Sequence, residues 1–175
     1  PEGKVLMQLG QKGVVGTGHN NFNLPTDVGF ASNGDFYVTD GYASARVVKF
    51  SRDGKYLLEW GSRGKSPGQF ELPHNVVVDA QGRVYVTDRE NRRIEVFDAN
   101  GKFLAQWPTV EGVSGLFMMK DQRIWAGGVL LNLEGQVVGK LPGGTAASGH
   151  GVAVSESGDV YLAQLNGTVQ KFVKQ

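Results

Sequence analysis

Residues 3–10 (GKVLMQLG) read against 54–61 (GKYLLEWG), 101–108 (GKFLAQWP) and 135–142 (GQVVGKLP) as four copies of one strand. Self-similarity at a spacing of about 40 residues, with several short strands per unit, is the pattern of a ring of blades that cannot bury their faces singly. The final repeat runs to Gln175 without this strand, and the first copy stands at the other end of the chain. The N-terminal strand is therefore expected to complete the last blade and close the ring.

An inner unit repeats with it. Residues 35–39 (DFYVT), 83–87 (RVYVT), 123–127 (RIWAG) and 159–163 (DVYLA) superpose. Turn signals precede them at 32–34 (SNG), 80–82 (AQG), 120–122 (KDQ) and 156–158 (ESG). Upstream of each turn is an apolar strand (28–30, 76–78, 116–119 and 152–154), and a third strand follows at 46–50, 94–97, 129–133 and 168–173. No segment holds a 3.6-residue apolar period for three turns. Residues 11–23 and 61–69 are Gly-rich and polar, so they read as loops between blades. The expected fold is all-β: a propeller of four four-stranded blades within one domain over 1–175, at about 24–61, 72–108, 112–142 and 148–173 plus 3–10. The alternative is part of a longer propeller, in which the strand match reflects where the chain is cut.

The chain has 175 residues, 40% of them hydrophobic and 10% aromatic, enough for a real core. Its net charge of +1 leaves no global field of the kind that recruits nucleic acid or an anionic membrane. No apolar run approaches the ~20 residues of a membrane span. An opening at Pro1, without methionine or a charged apolar leader, reads as a processed or trimmed start. With no cysteine there is neither a disulfide framework nor thiolate chemistry, and the redox compartment goes unread. Gly, at 26 residues, fits many tight turns.

Counting back from the second strand of each blade gives the start of its innermost strand: Thr26, His74, Ser114 and His150. The two histidines share a register in alternate blades, so in a four-bladed ring they face each other across the channel mouth. Neutral imidazole is the commonest metal ligand, and a zinc site takes three or four such groups. Two are too few by themselves; a third would come from a nearby side chain, from water or from a region outside this chain. The competing reading is a pair of turn-capping histidines. His19, in a Gly/Asn loop with no register partner, reads as surface. The loops after the second strands, 40–45 (DGYASA) and 88–92 (DRENR), place Tyr42 and Arg89 where they reach an anionic ligand at the top face. Asp40 and Asp88 read as turn caps, and the repeated Arg46 and Arg93 as packing and pairing between blades. Residues 16–18 (GTG) lack the flanking strand and helix of a phosphate loop. Arg89, Arg92 and Arg93 form a small basic cluster interleaved by Glu90 and Glu95.

The stretches 24–50 (LPTDVGFASNGDFYVTDGYASARVVKF), 67–97 (PGQFELPHNVVVDAQGRVYVTDRENRRIEVF) and 150–172 resemble NHL-repeat propellers and, within that class, the lyase domain of peptidylglycine α-amidating enzymes. The resemblance implies a six-bladed ring with zinc on three histidines, each beginning an innermost strand. It also implies cleavage of a peptidyl hydroxyglycine to a peptide amide and glyoxylate, assisted by a tyrosine and arginines. By motif, His74 matches the histidine of the family's second Pro-His and His150 the third zinc histidine. Tyr42 matches the tyrosine of Asp-Gly-Tyr, and Arg89 the arginine of Asp-Arg-Glu-Asn. Departures are as specific. The blade bearing the first zinc histidine and the family's N-terminal arginine have no counterpart. Gly151 stands where the family has an aspartate linked to a structural calcium, and Ala43 replaces a cysteine.

The leading expectation is a small propeller acting as a binding or interaction module at its central channel, with a zinc ion between His74 and His150 as its one candidate cofactor. The alternative is an amidating-lyase-like zinc enzyme with Tyr42 and Arg89 as catalytic residues; RNA binding on the top face is a weaker one, disfavoured by the balanced charge. Expected partners are a peptide, a small molecule or a protein at the top face, with no membrane. The resemblance implies an exported or periplasmic setting.

Overall fold

The computed structural model describes residues 3–109, 112–143 and 149–174, and among them there are fifteen β-strands and no helix. The first sheet is β1 (Asp27–Phe30), β2 (Phe36–Asp40), β3 (Arg46–Phe50) and β4 (Tyr56–Trp60). The second is β5 (Pro73–Val78), β6 (Val84–Asp88), β7 (Arg93–Phe97) and β8 (Phe103–Pro108). The third is β9 (Leu116–Met118), β10 (Ile124–Ala126), β11 (Val129–Leu131) and β12 (Val137–Lys140), and the fourth is β13 (Gly151–Val154), β14 (Val160–Ala163) and β15 (Val169–Phe172). Each sheet is an antiparallel meander in chain order.

Burial follows strand position. β2, β3, β6 and β7 are buried along their whole length, and the charged residues they carry, Asp40, Arg46, Lys49, Asp88, Arg93 and Glu95, are buried in ion pairs. The outer β4 alternates half-buried and exposed residues. Apolar clusters fill the spaces between consecutive sheets. Tyr37, Val47, Phe70, Val76, Val86 and Phe97 join the first sheet to the second. Tyr85, Ile94, Trp107, Leu116, Ile124 and Leu131 join the second to the third, and Trp125, Leu130, Leu141, Val160 and Leu162 join the third to the fourth.

The repeated outer strand packs on the sheet that follows it. Gly101 (φ 78°) sits so close under Trp60 that a Cβ would lie 2.7 Å from the indole, and Gly135 (φ 80°) sits in the same way under Trp107, at 2.5 Å. Only glycine meets both the left-handed backbone and the missing space. Gly54 occupies the equivalent place, and what lies over it is Met7 and Leu9. Leu9 packs with Phe36, Val38, Val48 and Phe50 on the outer side of the first sheet.

This corrects the expected closure. Residues 3–10 form no strand and do not complete the last blade, which remains a three-stranded sheet. The segment instead lies against the first sheet at the position of a preceding blade's outer strand. The physical reason is the openness of the sheet series: the inner strands adjoin as β1 with β5, β5 with β9 and β9 with β13, and no comparable packing joins β13 to β1. A ring of four closed by its N-terminal strand is therefore not what the chain forms.

Arg46 and Arg93 hold the loops that precede their sheets. Arg46 donates to Asp40 Oδ2 at 3.1 Å and to the carbonyls of Thr17 and Asn21 at 2.7 and 2.6 Å. Arg93 donates to Asp88 Oδ2 at 3.0 Å and to the carbonyls of Lys65 and Gln69 at 2.8 and 2.6 Å. Asp40 and Asp88 are fully buried, and their other oxygens accept the backbone amides of Asn23 and of Glu71 and Leu72. Removing one partner leaves a buried charge unpaired, which costs about 3–5 kcal/mol. Asp88→Ala is expected to lower stability by about that amount in urea denaturation, whereas Arg63→Ala, which breaks the exposed Arg63–Glu71 pair, is expected to cost under about 1 kcal/mol.

Candidate functional site

The first residues of the inner strands set the site. One position beyond Thr26 and His74, a side chain reaches from each sheet to the next. Asp27 Oδ2 accepts the Val76 amide at 3.0 Å, and Asn75 Oδ1 accepts the Leu116 amide at 3.0 Å. At the third sheet the equivalent residue is Gly115, whose missing side chain lets the backbone of Gly151 and Val152 approach; a Cβ there would lie 3.0 Å from the Val152 nitrogen. Thr26 donates its hydroxyl to the Pro73 carbonyl at 2.9 Å, and the Ser114 carbonyl accepts the Thr87 hydroxyl at 3.1 Å. Thr26 and Ser114, expected in the channel ring, thus take part in the seams between sheets, and Ser114 also borders the cleft described below.

His74 in β5 and His150, immediately before β13, come together with ring centroids 4.7 Å apart and planes nearly perpendicular. They meet although the sheets do not form the expected ring of four. Tyr42, from the loop after β2, places its hydroxyl 3.1 Å from His74 Nε2 and stands edge-on to that ring. Three sheets thereby each supply one side chain to one point. His19 is not part of it and stacks on Tyr56.

His74 is 6% exposed, and its pKa is pushed down to about 4, first by burial and then by the neighbouring His150 and Arg89; the backbone of Ser114 acts weakly the other way. The ring is therefore neutral at pH 7. Its Nδ1 is buried and, among the described residues, makes no hydrogen bond of standard geometry; the Ser114 backbone favours the protonated ring without completing one. If Tyr42 donates to Nε2, the ring hydrogen sits on Nδ1; in the other tautomer Nε2–H donates to Tyr42 and Nδ1 carries a free lone pair.

These donors suit a borderline metal such as zinc in chemistry: two imidazoles and a phenol, with one buried nitrogen unpartnered. They fall short in number, because no group of three His, Cys, Asp or Glu comes together among the described residues. Gly151, one residue after His150, offers no carboxylate.

A cleft of about 510 Å³ opens beside His150, bordered by Arg89, Glu90, Arg92, Ser114, Gln164 and Asn166. Arg89 borders it, and its guanidinium is paired with Glu90 at 2.8 Å. Gln164 and Asn166 were not anticipated. They lie in the loop after β14, which is the register equivalent of the loops carrying Tyr42 and Arg89, so the repeat alignment held the signal.

The neutral His74 ties stability to pH. An unfolded histidine titrates near 6.5 and this one near 4, so the unfolded chain binds the extra proton between those values. The stabilisation is complete above pH 6.5 and is lost as pH falls towards 4. In metal-free protein, unfolding free energies from urea titrations between pH 7 and 4 are expected to fall more steeply in the wild type than in His74→Asn, by up to about 3 kcal/mol; parallel curves would contradict the buried neutral ring.

Comparison with known proteins follows the same residues. The NHL repeat model matches residues 22–50 and 70–97, so the chain carries NHL repeats there. NHL repeat-containing protein 3 of Mus musculus is 38% identical over 127 residues, which are 68% of this chain and 37% of that protein. Peptidyl-alpha-hydroxyglycine alpha-amidating lyase 1 of Drosophila melanogaster is 35% identical over 116 residues, 61% of this chain and 21% of that protein. The chain thus spans well under half the length of these relatives. Among solved structures, the WD40 beta propeller domain of Doa1 superposes with a TM-score of 0.64 at 19% identity, over 86% of this chain and 51% of that one. At that identity the likeness shows the fold alone, a β-propeller architecture.

Proposed function

We propose that this chain carries an amidating-lyase-type site where β5 and β13 begin, with Tyr42, His74, His150 and Arg89 as its working side chains. The observation that carries the reading is the convergence of Tyr42 on His74 at 3.1 Å and of His74 on His150 at 4.7 Å, from three separate sheets. The same residues match the motifs by which the chain resembles amidating lyases.

His74 and His150 would hold zinc, with water or a further side chain completing the set. Bound zinc would polarise a substrate oxygen and lower its pKa. The protein's own groups do the remaining work. A hydroxyglycine substrate has a carboxylate, a hydroxyl and a C–N bond on one carbon. Arg89 takes the carboxylate in exchange for Glu90. Tyr42, acting as its phenolate, would take the hydroxyl proton as the C–N bond breaks and hand that same proton to the departing nitrogen. The former hydroxyl oxygen becomes the aldehyde of glyoxylate, and the nitrogen leaves with a proton as the peptide amide.

A second reading, a metal-free binding module at the same mouth, is favoured by one observation: only two of the three expected ligands are among the described residues. The experiment separates the two. Protein purified without chelators and its His74→Ala/His150→Ala variant are assayed for zinc and for cleavage of a peptidyl hydroxyglycine. The lyase reading expects near-stoichiometric zinc lost in the double variant, and turnover reduced about 10²-fold or more in Tyr42→Phe. Zinc-free wild type with no turnover in added zinc leaves the binding module.

A further inference from the structure

We infer that Arg92 is a specificity residue, an anchor for an acidic side chain on the residue that precedes the terminal one of a bound peptide; the inference rests on the proposed site. Arg92 borders the same cleft as Arg89 and His150. Its backbone is the first observation. At φ 54° it lies in the left-handed region, which residues with side chains seldom occupy and which Gly or Asn fills more readily. The loop from Asp88 to Arg93 is one residue shorter than that from Asp40 to Arg46, and the tighter turn demands this conformation at its last position. It is fixed on every side: the Arg92 amide donates to the Arg89 carbonyl at 3.1 Å, the Arg92 carbonyl accepts the Thr109 amide at 2.8 Å, and Asn91 Nδ2 donates to Asp88 Oδ2 at 2.6 Å. The backbone of an exposed arginine is thus held in a conformation that the turn itself disfavours for it, and such outliers gather at ligand sites.

Charge is the second observation. Arg46, Arg93 and Arg89 are paired with Asp40, Asp88 and Glu90. Among the described residues no carboxylate pairs with Arg92, and the equivalent position of the first sheet is Ala45, so the repeat does not require a cation here. Among the described residues, Arg92 is the arginine of the cleft wall that no carboxylate pairs with. A terminal carboxylate exchanged onto Arg89 leaves the next residue of an extended peptide about 3.5 Å further along, towards the other side of the turn. An acidic side chain there meets a guanidinium with no carboxylate partner among the described residues, and Gln164 and Asn166, which border the same cleft, offer amide groups to the peptide backbone.

The test compares hydroxyglycine peptides that differ only in that preceding residue, Asp, Asn or Lys, by KM, and the unreactive Asp-Gly and Asn-Gly peptides by calorimetry. Arg92→Gly is the main variant, because glycine keeps the left-handed turn and so preserves the fold; Arg92→Lys is the rescue. Wild type is expected to favour Asp over Asn about fivefold at low salt, an exposed ion pair's worth. The ratio is expected to fall to near one in Arg92→Gly and to recover in part in Arg92→Lys. Equal affinity for Asp and Asn in the wild type, or a preference that survives Arg92→Gly, overturns the inference while leaving the lyase site standing. Absence of binding and turnover with every peptide overturns the site and the inference together.

Discussion

The arrangement depends on how each sheet grips the next at the start of its innermost strand. Asp27 and Asn75 spend their side chains on a single amide of the following sheet, and Gly115 has none so that two backbones can touch. These contacts sit one residue from Thr26, His74 and Ser114. They therefore fix the register of the positions beside the site. An inner strand displaced by one residue would turn His74 to the opposite face of its sheet, and the pairing with Tyr42 and His150 would be lost. The apolar clusters between sheets supply most of the stabilisation, but they are plastic in detail; the directional bonds make the seam specific.

The same economy shapes the electrostatics. Buried carboxylates occur at the ends of β2 and β6, and each is satisfied by an arginine and by backbone amides. Those arginines continue into the carbonyls of the preceding loop, so that one residue organises both a sheet and its connection. By contrast, the site keeps its polar groups incompletely matched: a neutral imidazole with an unpartnered nitrogen, an arginine shared with an exposed glutamate, and a second arginine with no carboxylate partner among the described residues. Groups left unmatched inside an otherwise satisfied framework are where a ligand finds its interactions.

Much of this was legible in the sequence, for identifiable reasons. Strands such as 36–40 and 84–88 declare themselves because burial on both faces forces an apolar run between turn residues. His74 and His150 were found by counting, since a repeat converts equal spacing into equal position. Closure was not legible. Whether residues 3–10 meet β15 or the first sheet depends on the accumulated angle between sheets, which no local pattern encodes, and the match of strand motifs suited both outcomes. Arg92 was visible only as a member of a basic cluster. Its distinction lies in a backbone angle set by a loop one residue shorter than its counterpart, and in a missing partner that only the folded chain reveals.

The most direct test of the central claim, that Tyr42, His74 and His150 form one ligand-ready centre, is zinc-edge X-ray absorption on the zinc-loaded protein. The account predicts a shell of nitrogen and oxygen neighbours with the multiple-scattering signature of two imidazoles, reduced to one in His150→Ala. A zinc spectrum free of imidazole scattering, or one unchanged by that substitution, would contradict it.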